Sequence, residues 1–151
     1  MMNLIYFVQL LAEEQNLNPE LEYLISNREM WFIPVVNPDG YVYNELIEPN
    51  GGGMHRKNRL NTNCGNGSNR GVDLNRNYGF GWGSNDTGSS PNPCSATYRG
   101  DAEFSEPETQ AVRDFIINHD FNNVLHYHCY SNVYIHPWGN GSFPEEPDSS
   151  T

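Results

Sequence analysis

Basic residues are scarce in this sequence, with 8 Lys and Arg against 19 Asp and Glu and a formal net charge of -11. Such an acidic chain is repelled by nucleic-acid phosphates and by anionic lipid headgroups. Long apolar runs are missing as well, because no stretch approaches the ~20 residues that a membrane-spanning helix needs. The sequence therefore argues against nucleic acid and membrane as partners.

Charged residues are also few, at 18% of the 151 residues, whereas 19 residues are aromatic. Disordered chains usually combine high charge with few aromatic side chains. A chain of this length and composition is expected to fold around a packed core and has room for one domain of ordinary size.

Cysteine is rare, and the three cysteines are Cys64, Cys94 and Cys129. A bridge between Cys64 and Cys94 would stabilise an irregular region by roughly 2–4 kcal/mol and would imply an oxidising compartment. Two free thiols in a cytosolic protein are an equally open interpretation. Cys129, the remaining cysteine, is of the kind that is most often a buried structural thiol.

Three Asn-x-Ser/Thr triplets, beginning at Asn66, Asn85 and Asn140, match the acceptor motif for N-glycosylation. Because the chain has 21 asparagines, chance matches are expected. The triplets alone therefore add little to the choice of compartment.

Turn-forming residues are what the sequence has in excess, with 21 Asn, 14 Gly and 10 Pro. Residues 44–102 show no sustained helical or strand period, and irregular regions of this length are usually functional or disordered. Five of the seven arginines lie there: Arg56, Arg59, Arg70, Arg76 and Arg99. This concentration suggests an anion site, and solvated loop charge is the simpler alternative.

Regular elements are predicted on both sides of this region. The apolar spacing of the first 15 residues predicts an amphipathic helix, and these residues lack the basic region and cleavage site of a secretory signal. Further helices are predicted at 19–26 and at 105–118, the latter with Ser105 as its cap in a Ser-x-x-Glu capping box. Strands are predicted at 30–36, where the strand ends in a turn at Asn37-Pro-Asp-Gly40, and at 124–130 and 133–135. Alternating strands and helices favour an α/β fold with a mixed, largely parallel sheet flanked by helices.

Two segments carry side chains suited to chemistry. His126, His128 and Tyr130 share one face of a predicted strand, and imidazole is the commonest metal ligand, although a packed or surface histidine pair explains the pattern as well. Residues 71–77 bring together Asp73, Asn75 and Arg76, and the guanidinium of an arginine can bind a carboxylate through two bonds. An Asx-rich turn with a surface arginine is the alternative there.

Six ordered segments together resemble the zinc metallocarboxypeptidases of the A and B type. The segments are Phe32-Ile-Pro-Val-Val-Asn-Pro-Asp-Gly-Tyr41, Arg56-Lys-Asn-Arg59, Gly71-Val-Asp-Leu-Asn-Arg-Asn-Tyr-Gly-Phe80, Tyr98-Arg-Gly100, Phe104-Ser-Glu-Pro-Glu-Thr109, and His128-Cys-Tyr-Ser131 followed by Pro137-Trp-Gly139. Each is short, but six in the family's order across nearly the whole chain make chance a poor explanation.

The resemblance implies a role for each matching residue. His128 matches a zinc ligand, and Asp73 matches a carboxylate that orients a zinc-bound histidine. Asn75 and Arg76 match the pair that holds the substrate's terminal carboxylate, and Tyr130 is a further substrate-binding residue by the same resemblance. Arg56 matches the arginine that stabilises the oxyanion. Cys64 and Cys94 match a disulfide of secreted relatives, which favours the bridged alternative.

The resemblance also shows what this sequence lacks. The family takes its other two zinc ligands from a His-x-x-Glu motif, and none of the five histidines here begins one. Glu145 and Glu146 do not match the general-base motif either. The chain thus resembles the middle of a catalytic domain, incomplete at both ends. We expect residues 1–151 to form one partial domain without internal boundary, with residues 44–102 as an active-site loop region.

The functional expectation is a zinc-dependent carboxypeptidase that acts on peptides or proteins with a free C-terminus, present here as a fragment that is inactive by itself. Zn²⁺ is the implied cofactor of the complete domain. The alternative is an inactive, carboxypeptidase-like module that binds peptide C-terminal carboxylates. A monomer is expected, and the implied disulfide favours a secreted or vesicular location.

Overall fold

The computed structural model describes residues 2–128 and 133–135. By contact density the chain divides into two units, Met1–Phe121 and Asn122–Thr151, and each is described by itself. None of the helices in the described part is long and apolar enough to cross a membrane.

The two helices predicted near the start of the sequence are present. Helix α1 covers Met2–Glu14 and helix α2 covers Pro19–Asn27. The Asn18 side chain caps α2 by accepting a hydrogen bond from the backbone N–H of Glu20 at 2.9 Å. Each helix buries one leucine, Leu11 in α1 and Leu21 in α2. Both predicted helices are therefore confirmed, and apolar spacing was sufficient to locate α1.

Helix α3, Pro38–Ile47, corrects the sequence prediction. We expected Asn-Pro-Asp-Gly at 37–40 to be a turn and the irregular region to begin at residue 44. Asn37 instead caps the helix, because its Oδ1 accepts a hydrogen bond from the N–H of Gly40 at 2.9 Å, and proline follows at the first helical position. Asparagine and proline, which are common in turns, are thus also suited to the start of a helix.

Helix α4, Pro107–Ile117, is close to the predicted 105–118, but its cap differs. The N-cap residue is Glu106, and no side chain caps the first turn. Ser105 was the predicted cap, and its hydroxyl instead donates to the Glu106 carboxylate at 2.8 Å. The capping box therefore does not form, because the Ser105 hydroxyl bonds to Glu106, and Oε2 of Glu108 has no hydrogen bond within the described residues.

The predicted sheet is not seen in the described residues, where the regular elements are helices. Residues 30–36, 124–128 and 133–135 form no strand, and Ser90 and Tyr98 form an isolated bridge. A strand is stabilised by hydrogen bonds to a neighbouring strand, and no described segment pairs with residues 30–36 in this way. Apolar, β-branched sequence is thus not enough without a partner.

The interior of the first unit is partly apolar and partly polar. Val72, Leu74, Tyr98 and Val112 are among its buried apolar side chains. The buried polar residues lie between 55 and 109: His55, Lys57, Asn58, Asp73, Asn77, Glu106 and Thr109. Burying so many polar groups is costly unless they bond to one another or to the backbone. Their bonds therefore determine how the candidate site is built.

Candidate functional site

The segment that carries Arg56 is held by two asparagines of the α3 region. Asn44 donates to the His55 carbonyl at 2.7 Å and accepts from the His55 N–H at 2.9 Å. Asn37 donates to the carbonyls of Arg56 and Lys57 at 3.3 and 3.1 Å. Gly40 allows this approach, because a Cβ there would clash with the Asn37 side chain and lie 2.8 Å from the Lys57 carbonyl. Helix α3 thus positions Arg56.

Lys57 turns inward beside Arg56. Its ammonium donates to the carbonyls of Asn69, Pro93 and Ser95 at 2.7, 3.1 and 2.8 Å, and only 1% of the residue is exposed. Burial lowers its pKa, whereas the charge of Asp73 raises it. The three carbonyls use the three donors of an ammonium group. Lys57 therefore ties the loop around Asn69 to the loop at residues 93–95.

The same two loops are joined by the disulfide between Cys64 and Cys94, whose Cα atoms are 5.3 Å apart. This is the pairing that the family resemblance implied. The bridge closes a segment with a sequence separation of 30 residues. One covalent link and one buried ammonium therefore join the two ends of this segment.

Asp73 lies at the centre of the site and is 1% exposed. It caps the short 3₁₀ helix Leu74–Arg76, because its Oδ1 accepts from the N–H of Asn75 at 3.2 Å. Nη2 of Arg56 lies 3.0 Å from Oδ2 and donates to Oδ1 at 3.3 Å. Burial raises the pKa of Asp73, and the guanidiniums of Arg56 and Arg76 lower it. The arginines therefore favour the carboxylate form against its desolvation.

Arg76 is the second guanidinium at this carboxylate, with Nε 4.0 Å from Asp73 Oδ2. Nε donates to the Gly88 carbonyl at 2.6 Å, and Nη1 donates to the Asn75 carbonyl at 3.1 Å. The side chains of Arg76 and Arg56 remain 31% and 42% exposed. Two arginines thus meet one aspartate, and the surplus positive charge is accessible to a ligand anion.

Asn77 is the C-cap residue of the 3₁₀ helix, and the sequence did not reveal its importance. Its amide donates to the carbonyls of Arg99 and Ala102 and to the Ser105 hydroxyl at 2.8, 3.0 and 2.9 Å. Its oxygen accepts from the Thr109 hydroxyl at 2.7 Å and from the N–H of Glu106 at 3.2 Å. Nothing in the motif separates this buried amide from the exposed amide of Asn75.

Glu106 continues this cluster toward the Arg56 segment. Its carboxylate accepts from the Asn58 amide at 2.5 Å and from the Ser105 hydroxyl at 2.8 Å. Asn58 in turn pairs with Val72, whose N–H donates to the Asn58 side chain at 2.8 Å. The cluster therefore connects the first turn of α4 with residues on both sides of Asp73.

His55 is a buried histidine whose ring packs edge-on against Tyr43, with centroids 4.8 Å apart. Burial lowers the pKa of His55, the backbone groups of Asn58 and Lys57 oppose this shift, and the charges of Arg59 and Lys57 add to it. The ring is thus held in a place that disfavours its protonated form.

The remaining predicted site residues belong to the second unit. His128 is exposed and lies at the end of the described stretch, and Tyr130 lies outside the described residues. Within residues 2–128 and 133–135, no group of three His, Cys, Asp or Glu side chains is placed to hold a metal ion. The structure therefore brings Arg56, Asp73, Asn75 and Arg76 together, and the roles of His128 and Tyr130 stay predictions.

Comparisons with known proteins agree on one family. A family model described as zinc carboxypeptidase matches residues 2–151. Carboxypeptidase B of Astacus astacus is 36% identical over 118 residues, which are 77% of this chain and 37% of that protein. Carboxypeptidase A1 of Rattus norvegicus is 32% identical over 150 residues, which are 97% of this chain and 33% of that protein.

An inactive metallocarboxypeptidase of Sclerotinia sclerotiorum is also similar, with 32% identity over 139 residues that are 86% of this chain and 21% of that protein. The chain thus spans 21% to 37% of the length of these three relatives. Because the family model matches nearly every residue, the chain belongs to the zinc carboxypeptidase family and to its fold, of which the described helices are a part.

Proposed function

We propose that this chain supplies the substrate-binding part of a metallocarboxypeptidase, which removes C-terminal residues from peptides or proteins. The observation that carries the proposal is the pair of partly exposed arginines, Arg56 and Arg76, at the buried carboxylate of Asp73. Family membership supplies the reaction class. The parts of the site that this sequence holds are those that bind and orient the substrate.

Asn75 and Arg76 bind the terminal carboxylate of the substrate. The planar guanidinium presents parallel N–H donors that match the two oxygens of a carboxylate, and an asparagine amide adds a neutral donor. Gly88 and Asp73 hold Arg76 in place before a ligand arrives, which lowers the entropy lost on binding. An interior peptide bond has no carboxylate to offer, so this pair selects chain ends.

Arg56 stabilises the negative charge that develops on the carbonyl oxygen of the bond to be cleaved. Its contact with Asp73 leaves 42% of the side chain exposed, so donors remain available toward substrate. One such donor is typically worth about 3–4 kcal/mol in the transition state. The carboxylate of Asp73 fixes the guanidinium beforehand, which is the preorganisation that this kind of stabilisation requires.

The described residues do not by themselves form a zinc site, so no step of the reaction is assigned to a metal here. His128 is the residue proposed as a ligand, since a neutral imidazole is a common zinc donor. Asp73 has an enclosed Oδ2 that lies 3.0 Å from Nη2 of Arg56 as an ion pair and receives no well-aligned hydrogen bond within the described part of the chain. An imidazole N–H is a suitable donor for such an oxygen, which fits the proposed role of orienting a ligand histidine.

A second candidate function is capture of peptide C-termini without hydrolysis. One observation favours it: a similar protein, of Sclerotinia sclerotiorum, is named as an inactive metallocarboxypeptidase. Asn75 and Arg76 would then act as a binding site alone. Both candidates share the same carboxylate recognition and differ in chemistry.

Carboxylate recognition is tested by titrating the chain with one peptide in two forms, as the free acid and as the C-terminal amide. The acid form is expected to bind at least about tenfold more tightly, which corresponds to ~1.4 kcal/mol. Arg76→Ala should remove this difference. Arg113→Ala, a matched change on α4, should keep it, and equal affinity of the wild type for both forms would refute both functions.

The two candidates are separated by the full gene product. A His-x-x-Glu motif in frame before residue 1, together with bound zinc and release of C-terminal residues, supports the enzyme. Acid-selective binding without zinc and without hydrolysis supports the capture module. We also propose a secreted or vesicular location and a monomeric state, and the Cys64–Cys94 disulfide supports the location.

A further inference from the structure

Asn66 begins one of the three acceptor triplets, Asn66-Gly67-Ser68, on the loop that the disulfide closes. We propose that Asn66 carries an N-linked glycan. The whole triplet is exposed. A Cβ added to Gly65 or to Gly67 would meet no atom within 4 Å, so the space on both sides of Asn66 is open. The folded loop can therefore accommodate a bulky modification.

The backbone of this loop is fixed while the Asn66 amide is not used. Arg59 donates to the carbonyls of Asn66 and Gly67 at 2.8 and 3.1 Å, and its guanidinium lies 3.7 Å above the Tyr43 ring. Within the described residues, the side-chain amide of Asn66 has no hydrogen bond to the protein. A sugar on that nitrogen replaces only contacts with water.

The inference rests on the proposed secreted or vesicular location, which the disulfide supports. Cys64 lies two residues before Asn66, and its bond to Cys94 requires an oxidising compartment. N-linked transfer takes place in that compartment of eukaryotic cells. The Asn66 amide nitrogen forms a bond to the anomeric carbon of a lipid diphosphate-linked oligosaccharide. The lipid diphosphate leaves, and the nitrogen releases one proton.

The acceptor triplets at Asn85 and Asn140 do not show the same open amide. Asn85 uses its side-chain oxygen to accept from the N–H of Thr87 at 2.8 Å. The middle residue of that triplet, Asp86, is paired with Arg99 at 2.7 Å. Asn140 lies outside the described residues. Asn66 is thus the acceptor whose amide is open and whose surroundings are empty.

The test is to secrete the full chain from cultured eukaryotic cells and to map its glycopeptides before and after treatment with an N-glycan amidase. The wild type is expected to carry a glycan on the peptide that contains residue 66, and the amidase should convert that asparagine to aspartate. Asn66→Gln and Ser68→Ala should abolish the modification. Ser68→Thr, which preserves the motif, and Asn85→Gln, the matched change elsewhere, should retain it.

Ser68→Ala keeps the asparagine and removes only the hydroxyl of the motif, so its result does not depend on folding defects at residue 66. An unmodified Asn66 in secreted wild type would overturn the proposal. A glycan found on Asn85 alone, or one retained in Ser68→Ala, would overturn it too. None of these outcomes depends on peptide binding or hydrolysis, so the proposed function is tested separately.

Discussion

Two parts of the first unit lack strands and long helices but differ in what stabilises them. Residues 55–109 bury polar side chains that bond to backbone groups, and Lys57, Asp73 and Asn77 are each at most 1% exposed. Residues 30–36 are apolar, yet Trp31 and Ile33 are 50% and 42% exposed. Irregular backbone can thus be fixed by side-chain hydrogen bonds, whereas an apolar extended segment needs a second surface to cover it.

The difference has a physical origin in the backbone. Every buried N–H and carbonyl needs a partner, and a region without regular structure must find these partners in side chains. Asn77, Asn58 and Lys57 provide them in residues 55–109. Loss of one such side chain leaves several buried groups unsatisfied at once, and each costs about 1–3 kcal/mol. The polar region should therefore be far more sensitive to single changes than residues 30–36.

Asn77→Ala is expected to have the largest effect on this comparison. It removes the partner of two carbonyls, two hydroxyls and one N–H. We expect a loss of about 4 kcal/mol in the free energy of unfolding, which is among the largest losses for a single residue. Urea unfolding followed by tryptophan fluorescence measures it.

Asn75→Ala is the matched control, because it deletes the same amide two residues away at an exposed position. It should change stability by less than about 0.5 kcal/mol and should weaken binding of a peptide carboxylate. If Asn75→Ala and Asn77→Ala cost the same, the buried hydrogen bonds do not stabilise the region as argued.

Replacement of Cys64 and Cys94 by alanine is expected to rank second. A closed loop of this length restricts the unfolded chain, and its loss should cost roughly 3 kcal/mol. Lys57 still ties the same loops, so we expect the folded structure to persist. Unfolding of the wild type with and without reductant, compared with the double variant, measures the effect. An unchanged midpoint on reduction would mean that Lys57 alone suffices.

Part of this structure could be read from the sequence, and the reason is local. Apolar spacing predicted α1, whereas the carboxylate-binding role of Asn75 and Arg76 stays a prediction. The sequence did not reveal that Asn37 starts α3 or that Lys57 and Asn77 are buried. Their roles depend on carbonyls 12 to 38 residues away for Lys57 and on residues 22 to 32 positions away for Asn77. Distant backbone partners leave no periodic pattern.

His55 gives a third, pH-dependent prediction. Because burial lowers the pKa of His55 below its ordinary value of about 6.5, the unfolded chain binds more protons between the two pKa values. Stability should therefore fall as the pH drops below about 6.5, by at most ~1.4 kcal/mol per pH unit. The midpoint of urea unfolding between neutral pH and pH ~5 measures this slope.

His55→Phe removes the titration and keeps a ring against Tyr43, so the slope should become shallower. His126→Phe is the matched control, because it makes the same replacement at an exposed position. An equally steep slope in His55→Phe would assign the pH dependence to other groups.

Val36→Thr should have the smallest effect, and it tests the apolar side of the comparison. Val36 ends the segment 30–36 and is 38% exposed, so we expect a change of less than about 0.5 kcal/mol. Val72→Thr is the identical change at a residue that is fully buried, and it should cost at least about 1.5 kcal/mol, since a hydroxyl enters an apolar position. The two unfolding curves, measured side by side in urea, give the ratio of the two costs. Equal costs would mean that residues 30–36 are covered in solution, either by a second copy of the chain or by a neighbouring segment. Dilution of the sample distinguishes these two explanations, because only self-association depends on protein concentration.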